Sequence, residues 1–140
     1  MVKEATIYIT KTDRERLGAL VELVRDYNQR EQFADINRLE DELELAEIVA
    51  SKDIRADIIT MRSKVRLKDL DTSEEMEYSL VFPTEANSGD GKISILAPLA
   101  TAILGRKAGD TVEFQAPSRL RRLKVLEVLY QPESTGDYNL

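Results

Sequence analysis

The sequence predicts an α+β protein in which a short N-terminal antiparallel helical hairpin precedes an antiparallel-rich sheet of about five strands carrying one short helix. Apolar residues recur at helical spacing up to about residue 50, and from residue 55 onward they alternate with polar ones, as in half-buried strands. A single helical stretch near Pro98 interrupts the alternation. The 140 residues therefore divide into a hairpin at 1–54 and a sheet domain at 55–140.

The first helix follows a short β-prone run at residues 7–10. Thr12 and Glu15 have capping-box spacing, so we expect the helix to start at Thr12. Its apolar stripe comprises Leu17, Leu20, Val21, Val24 and Tyr27. The polar residues 28–32 break the pattern and predict a turn.

Asp35 is the expected N-cap of the second helix. Its stripe comprises Ile36, Leu39, Leu43, Ala46 and Ala50, widened by Leu45, Ile48 and Val49. Two amphipathic helices joined by a short polar link predict an antiparallel, coiled-coil-like hairpin. Each arm of about 16 residues would be roughly 24 Å long.

The strands of the sheet domain follow from alternation and turn residues. The first places Ile59, Met61, Val65 and Leu67 on one face and Arg62, Lys64, Arg66 and Lys68 on the other. A turn at 69–73 leads to a strand through Tyr78, Leu80 and Phe82, which Pro83 ends. The last strands cover about 111–116 and 120–130. A phase shift between Val125 and Leu126 predicts a bulge or burial on both faces. The tail, 131–140, is expected to run irregularly over the surface.

The stretch from Ile93 to Asp110 links these strands. Ile93 and Ile95 predict a strand, Pro98 occupies the first helical position, and Gly105 stands where a left-handed helix end favours glycine. Gly109 and Asp110 turn the chain into the next strand. The side chains of this stretch predict packing and docking rather than catalysis.

Composition excludes several functions. The chain has no Cys and no His, which excludes disulfides, thiol catalysis, Ser-His mechanisms and the usual zinc sites. No apolar run approaches the roughly 18 residues of a membrane span, and the N-terminus lacks the pattern of a signal peptide, so we expect a cytoplasmic protein. Residues 1–54 carry 8 Lys and Arg against 13 Asp and Glu. This acidity suits a partner with a basic surface, or simply aids solubility.

Two charged clusters invite functional interpretations. The second helix carries Asp35, Glu40, Asp41, Glu42, Glu44 and Glu47, but without the oxygen-ligand spacing of a metal loop, so we interpret it as a solvated face. Arg119, Arg121, Arg122 and Lys124 lack interleaved aromatics, so we interpret them as the charges of a strand edge rather than a nucleic-acid site. We expect no cofactor and no metal.

The residues from Val65 to Tyr130 resemble the C-terminal domain of the GreA/GreB transcript-cleavage factors. The similarity lies in VRLKDLDTSEEMEYSLV, the ISI strand, APLATAILG, the AGD turn and KVLEVLY; DIITM and YQPESTGDY resemble the short-hairpin members of that family. The resemblance implies an FKBP-like domain that docks on bacterial RNA polymerase at the rim of its secondary channel. The Gre factors have a long coiled coil whose tip acids help to hold a catalytic magnesium, whereas the short-hairpin members are thought to dock without stimulating cleavage.

The resemblance also implies which residues dock. The family's docking loop contains a Ser-Pro pair, preceded in some members by Asp. Here these positions are Leu96, Ala97 and Pro98, followed by Leu99, so the proline matches while the hydroxyl and the charge do not. The acids nearest the hairpin turn are Asp26, Glu31 and Asp35, and an arm of roughly 24 Å is about half that of the cleavage factors.

The expected function is therefore a non-enzymatic transcription regulator that binds RNA polymerase and competes with GreA and GreB without stimulating cleavage. A prolyl isomerase, implied by the FKBP-like fold alone, would need an aromatic-lined pocket, and this chain has no Trp, 3 Phe and 5 Tyr. A direct regulator of nucleoside diphosphate kinase, suggested by a family member's name, has no nucleotide-binding motif here. We expect a monomer, and self-association through the hairpin remains open.

Overall fold

The structure is a computed structural model, and it describes residues 6–26 and 33–136. Three α-helices and seven β-strands follow one another in these ranges: β1 (Tyr8–Thr10), α1 (Lys11–Asp26), α2 (Phe33–Leu45), β2 (Glu47–Val49), β3 (Lys64–Asp69), β4 (Glu75–Val81), β5 (Lys92–Ser94), α3 (Pro98–Ile103), β6 (Thr111–Gln115) and β7 (Leu120–Tyr130). Short 3₁₀ turns occupy Ser51–Asp53, Pro83–Glu85, Ser88–Asp90 and Pro132–Thr135. None of the helices in the described ranges has the length and apolar character needed to cross a membrane.

The first helix begins one residue before the predicted start because Thr10, not Thr12, supplies the cap. Thr10 Oγ1 accepts a hydrogen bond from the Asp13 N–H at 3.1 Å, which satisfies one of the free donors of the first turn. Thr10 is fully buried, and Thr12 instead lies 3.4 Å from Ser51, hydroxyl to hydroxyl. The expected capping box at Thr12 and Glu15 is therefore wrong.

The two helices pack through the predicted stripes. The buried residues are Leu17, Val21 and Val24 of α1 and Ile36, Leu39 and Leu43 of α2. Near the C-terminal end of α1, Arg25 donates to Glu40 at 2.8 Å and to Asn37 at 2.9 Å. Both side chains of this ion pair are exposed to solvent, so the pair contributes little to the free energy of unfolding. The predicted turn at 28–32 and Tyr27 lie outside the described residues.

The second helix differs from the prediction at both ends. It already includes Phe33, so Asp35 lies in its first turn rather than at the cap. It ends at Leu45, and β2 then pairs in parallel with β1, with the Glu47 N–H donating to the Ile7 carbonyl at 2.9 Å. Leu45 is 69% exposed and Ile48 44% exposed, so they do not widen the buried stripe. The backbone of β1 offers hydrogen-bond partners that helical periodicity could not reveal.

The expected α+β fold is confirmed, and the five-stranded sheet has the order β5-β4-β3-β7-β6. Three of its pairs are antiparallel, and β5 runs parallel to β4. The predicted bulge is present at Leu126, which has no partner, because Val125 lies opposite Leu67 while Glu127 lies opposite Arg66. The sheet is curled, and the buried residues of its strands β3 and β7 share the core with the short helix α3.

The segment before β3 is not the strand that alternation predicted. Ile59 and Met61 are buried, but the Ile59 N–H donates to the Arg106 carbonyl and the Met61 N–H donates to Asp13 Oδ2 at 3.0 Å. Arg62 has a φ of 65°, which no strand residue adopts. The segment before β3 thus buries Ile59 and Met61 as a strand would, but its backbone is irregular and forms hydrogen bonds with several other elements.

The tail begins as a buried element rather than a surface segment. Gln131 is 2% exposed, and its side-chain amide donates to the carbonyls of Arg55 and Ile58, both at 2.7 Å. Glu133 accepts the Thr60 hydroxyl at 2.7 Å. The C-terminal 3₁₀ turn thus closes over the 55–63 segment.

The buried apolar residues of the helices and the sheet form one continuous cluster.

The arginines at the start of β7, together with Arg119 just before it, are not the charges of a strand edge, because β7 lies between β3 and β6. Arg121 and Arg119 donate to Asp69 Oδ2, with shortest distances of 2.9 and 3.3 Å, and Arg119 and Arg122 also bind Asp71. Asp69 has 1% of its side chain exposed and also accepts the N–H groups of Asp71 and Thr72. The cluster therefore ties β7 to the β3–β4 turn.

Asp69 should contribute to acid stability. Hydrogen bonding from Arg121 lowers the pKa of this carboxyl to about 2, below its usual 3.8. A lowered pKa stabilises the fold above about pH 4, and this contribution is lost as the pH falls toward 2. We expect Asp69→Asn to be less stable than wild type at pH 7 and to lose less stability between pH 4 and 2 in thermal melts.

The matched control is Asp71→Asn, which removes the more exposed carboxylate of the cluster; Asp71 shares Arg119 with Asp69 and also binds Arg122. We expect a smaller loss of stability at pH 7 from this variant. Equal losses in the two variants would contradict the special role of the buried carboxylate.

Candidate partner-docking site

The candidate docking segment, Leu96 to Leu99, connects β5 to α3. Leu96 is 6% exposed, so its side chain packs in the core, and Ala97, Pro98 and Leu99 are half-buried. Ala97 precedes the helix in an extended conformation, with φ −67° and ψ 143°, as a residue before proline prefers. Pro98 is the first residue of α3, as predicted. Of the four residues, only the last three present side-chain surface to a partner.

Two residues that sequence reasoning did not single out fix this segment. Ser94 Oγ accepts the Leu96 N–H at 3.1 Å, and the Thr101 hydroxyl donates to the Ile95 carbonyl at 2.8 Å. The available signals were a serine shortly before a helix-starting proline and one hydroxyl within an otherwise apolar helix. Serine and threonine side chains often bond to nearby backbone in this way.

The C-terminal end of α3 is fixed against the hairpin by Gly105. This glycine has a φ of 78°, its N–H donates to the Ile59 carbonyl at 2.9 Å, and its carbonyl accepts the Tyr8 N–H at 3.2 Å. The prediction of a left-handed glycine is confirmed. The same residue joins α3, the 55–63 segment and β1, so the docking segment and the hairpin base share one rigid support.

A cleft of about 220 Å³ adjoins the docking segment between α2, α3 and β6. Its lining residues are Arg38, Glu42, Pro98, Thr101, Ala102, Arg106, Glu113, Phe114 and Gln115. Its lining carries charges of both signs and a single aromatic ring, that of Phe114. A second cleft of about 220 Å³ at the hairpin base is lined by Tyr8, Val49, Asp53, Ile54, Arg55, Ile58 and Lys107. Each cleft has one aromatic ring, unlike the aromatic-lined pocket that prolyl isomerisation would require.

The tip acids are only partly placed by the structure. Asp26 is the last residue of α1, and Glu31 lies outside the described residues. Asp35 lies in the first turn of α2 and binds the guanidinium of Arg38 at 2.9 Å, so its charge is neutralised locally. Within residues 6–26 and 33–136, His, Cys, Asp and Glu form no group of three or more that could hold a metal ion.

The fold is similar to that of a known transcription factor. The prokaryotic transcription elongation factor GreA/GreB from Nitrosomonas europaea superposes with a TM-score of 0.73 at 35% identity, covering 91% of this chain and 100% of that one. The structure of the transcription factor Gfh1 gives a TM-score of 0.51 at 25% identity, covering 91% of this chain and 100% of that one. Two N-terminal helices followed by a curled, five-stranded mixed sheet with a short helix are thus a GreA-like fold.

Sequence comparison agrees with the structural one. The family described as "Transcription elongation factor, GreA/GreB, C-term" matches residues 54–130, and "Rnk N-terminus" matches residues 6–49. The "Regulator of nucleoside diphosphate kinase" of Escherichia coli K12 is 32% identical over 96% of this chain and 97% of its own length. GreA of Chloroherpeton thalassium is 42% identical over 66% of this chain and 59% of its own. The chain belongs to the GreA/GreB transcription elongation factor family, with the N-terminal segment of Rnk.

Proposed function

We propose that the protein is a non-enzymatic transcription regulator that acts in the cytoplasm. It binds RNA polymerase near the secondary channel through its sheet domain and competes with GreA and GreB without stimulating transcript cleavage. The observation that carries this proposal is the combination of a rigidly held docking segment, Leu96 to Leu99, with a short hairpin. The division into a hairpin at 1–54 and a docking domain at 55–140 is part of the proposal.

The short hairpin supports the proposal that the protein occupies the docking site on RNA polymerase without stimulating transcript cleavage. Helix α1 has 16 residues and α2 has 13, which correspond to lengths of about 24 and 20 Å. In the cleavage factors that this chain resembles, a longer coiled coil brings acids to a buried metal. Here the arm is about half as long, and Asp35 is already paired with Arg38.

The decisive experiment is competition between this protein and labelled GreA for core RNA polymerase, with transcript cleavage followed in the same samples. Displacement of GreA together with a loss of cleavage would support the proposal. Displacement accompanied by cleavage would contradict the reach argument and indicate that the tip acids act. No displacement at saturating concentration would reject the docking function.

The docking segment gives a sharper prediction. Leu99→Asp places a charge on half-exposed apolar surface, and we expect the Kd for core polymerase to rise roughly tenfold or more, as at a buried interface position. Pro98→Ala should weaken binding less, because it removes only part of one ring. Affinity is measured by the same competition assay after circular dichroism has verified folding.

Leu120→Asp is the control for a charge placed on an exposed leucine elsewhere in the sheet domain. Leu120 is 51% exposed at the start of β7, and we expect the affinity of this variant to stay within about twofold of wild type. If Leu99→Asp and Pro98→Ala also bind as wild type does, the docking site lies elsewhere on the surface.

A second candidate function comes from the name of the E. coli relative, "Regulator of nucleoside diphosphate kinase". A direct regulator would form a complex with the purified kinase and change its activity in the absence of transcription. Co-purification and a coupled kinase assay test this. If neither gives a signal, only an indirect effect through transcription remains.

A further inference from the structure

The backbone of the docking segment is held from both sides by hydroxyl-bearing residues. On the N-terminal side, Ser94 Oγ accepts the Leu96 N–H at 3.1 Å, and the Ser94 carbonyl accepts the Ala97 N–H at 2.9 Å. On the C-terminal side, the Thr101 hydroxyl donates to the Ile95 carbonyl at 2.8 Å. Each of the three residues before Pro98 therefore has a backbone group in one of these hydrogen bonds: the Ile95 carbonyl, the Leu96 N–H and the Ala97 N–H.

Thr101 contacts the segment through two bonds. In addition to its hydroxyl bond, its N–H donates to the Ala97 carbonyl at 3.1 Å. Thr101 is 1% exposed and Ile95 is fully buried, so water does not readily replace the hydroxyl at the Ile95 carbonyl. A buried carbonyl that loses its donor is costly, and the backbone would shift to regain one. The hydroxyl thus determines the path of the chain immediately before Pro98.

We propose that Thr101 is a positioning residue for polymerase docking. Its hydroxyl holds the backbone at Ile95 to Ala97 so that Pro98 and Leu99 are presented in a single arrangement; the inference rests on the function proposed above. A preformed segment loses less conformational entropy on binding than a mobile one. Thr101 contributes to the lining of the cleft beside Pro98, but only 1% of the residue is exposed, so it acts through the docking segment and not by contact with the polymerase.

The test compares two substitutions at this residue. Thr101→Val keeps the shape of the side chain and removes the hydroxyl, whereas Thr101→Ser keeps the hydroxyl and removes the methyl group. We expect Thr101→Val to raise the Kd for core polymerase roughly threefold to tenfold, the effect of one lost hydrogen bond, and Thr101→Ser to stay close to wild type. Amide hydrogen exchange of Leu96 and Ala97 should be faster in the valine variant.

Thr60→Val is the matched control for a lost buried hydroxyl. Thr60 is fully buried in the 55–63 segment, but its hydroxyl bonds to Ser63 and to Glu133 of the C-terminal turn, and to none of the residues Leu96 to Leu99. It should lose stability without losing affinity. If Thr60→Val weakens binding as much as Thr101→Val, the effect is general destabilisation and the positioning role is rejected.

The remaining outcomes separate this inference from the proposed function. Wild-type affinity or unchanged amide exchange in Thr101→Val would overturn the positioning role alone, as would equal weakening by valine and serine. Failure of the wild-type protein to displace GreA would overturn the proposed function, and this inference with it.

Discussion

Gly105→Ala is expected to destabilise the protein by about 3–5 kcal/mol, the sum of backbone strain and overpacking. Gly105 has a φ of 78°, a conformation that L side chains rarely adopt. A Cβ built there would lie 2.9 Å from the Ile7 Cβ and 3.1 Å from the Tyr8 carbonyl oxygen, so β1 would have to move. Urea denaturation at pH 7 measures the loss in the free energy of unfolding.

Gly109→Ala is the control that separates the cost of backbone strain from the cost of steric crowding in Gly105→Ala. Gly109 has a φ of 96°, but a Cβ built there meets nothing within 4 Å. This variant should therefore lose only the strain contribution of about 1–2 kcal/mol. If the two alanine variants are equally destabilised, β1 is not tightly packed against Gly105, and the shared support of the hairpin and the docking segment is wrong.

Asp13→Asn is expected to change how stability depends on pH. Asp13 is 4% exposed, and its Oδ2 accepts the Met61 N–H at 3.0 Å. Burial is the main cause that raises the pKa of this carboxyl from 3.8 to about 6, and the negative charge of Glu133 adds to it, while the Met61 N–H, Arg16 and Thr10 oppose it. The hairpin is therefore joined to the sheet domain by a carboxylate that is costly to ionise.

The sign follows from proton binding. Between about pH 4 and 6 the unfolded chain loses the Asp13 proton while the folded chain keeps it, so stability decreases as the pH rises. The difference of about two pKa units corresponds to about 3 kcal/mol. Relative to wild type, the unfolding free energy of Asp13→Asn should rise by about that amount from pH 4 to pH 7, because asparagine has no proton to lose.

Urea denaturation at a series of pH values tests this expectation. Glu22→Gln, an exposed position on the same helix, is the control and should show a constant difference from wild type across the range. A constant difference for Asp13→Asn as well would mean that Asp13 titrates normally in the folded protein.

Local patterns predicted most of the regular structure. The last strand has the predicted bounds, Leu120–Tyr130, and its bulge at Leu126 lies where the apolar phase shifts. The docking segment was located by resemblance, and Pro98 begins α3 as its fixed φ predicts. The docking role of Leu96 to Leu99 stays a prediction.

The failures occurred where non-local partners decide the conformation. The residues of β2 have helical periodicity but form a strand because β1 lies beside them. Arg119, just before β7, and Arg121 within it have the pattern of exposed charges, yet both bind Asp69, about 50 residues earlier in the chain. Neither partner can be identified from spacing within one segment.

Local sequence patterns were enough to predict the hairpin stripes, the alternation of the sheet and the proline and glycine that bound α3, because these features depend on φ preferences and on periodicity within a few residues. The buried polar hydrogen bonds became visible only in the folded chain: those of Thr101 to Ile95, Asp13 to Met61, and Gln131 to Arg55 and Ile58. A buried donor or acceptor must find a partner wherever the fold places one, and that partner is set by packing in three dimensions rather than by neighbours in the chain.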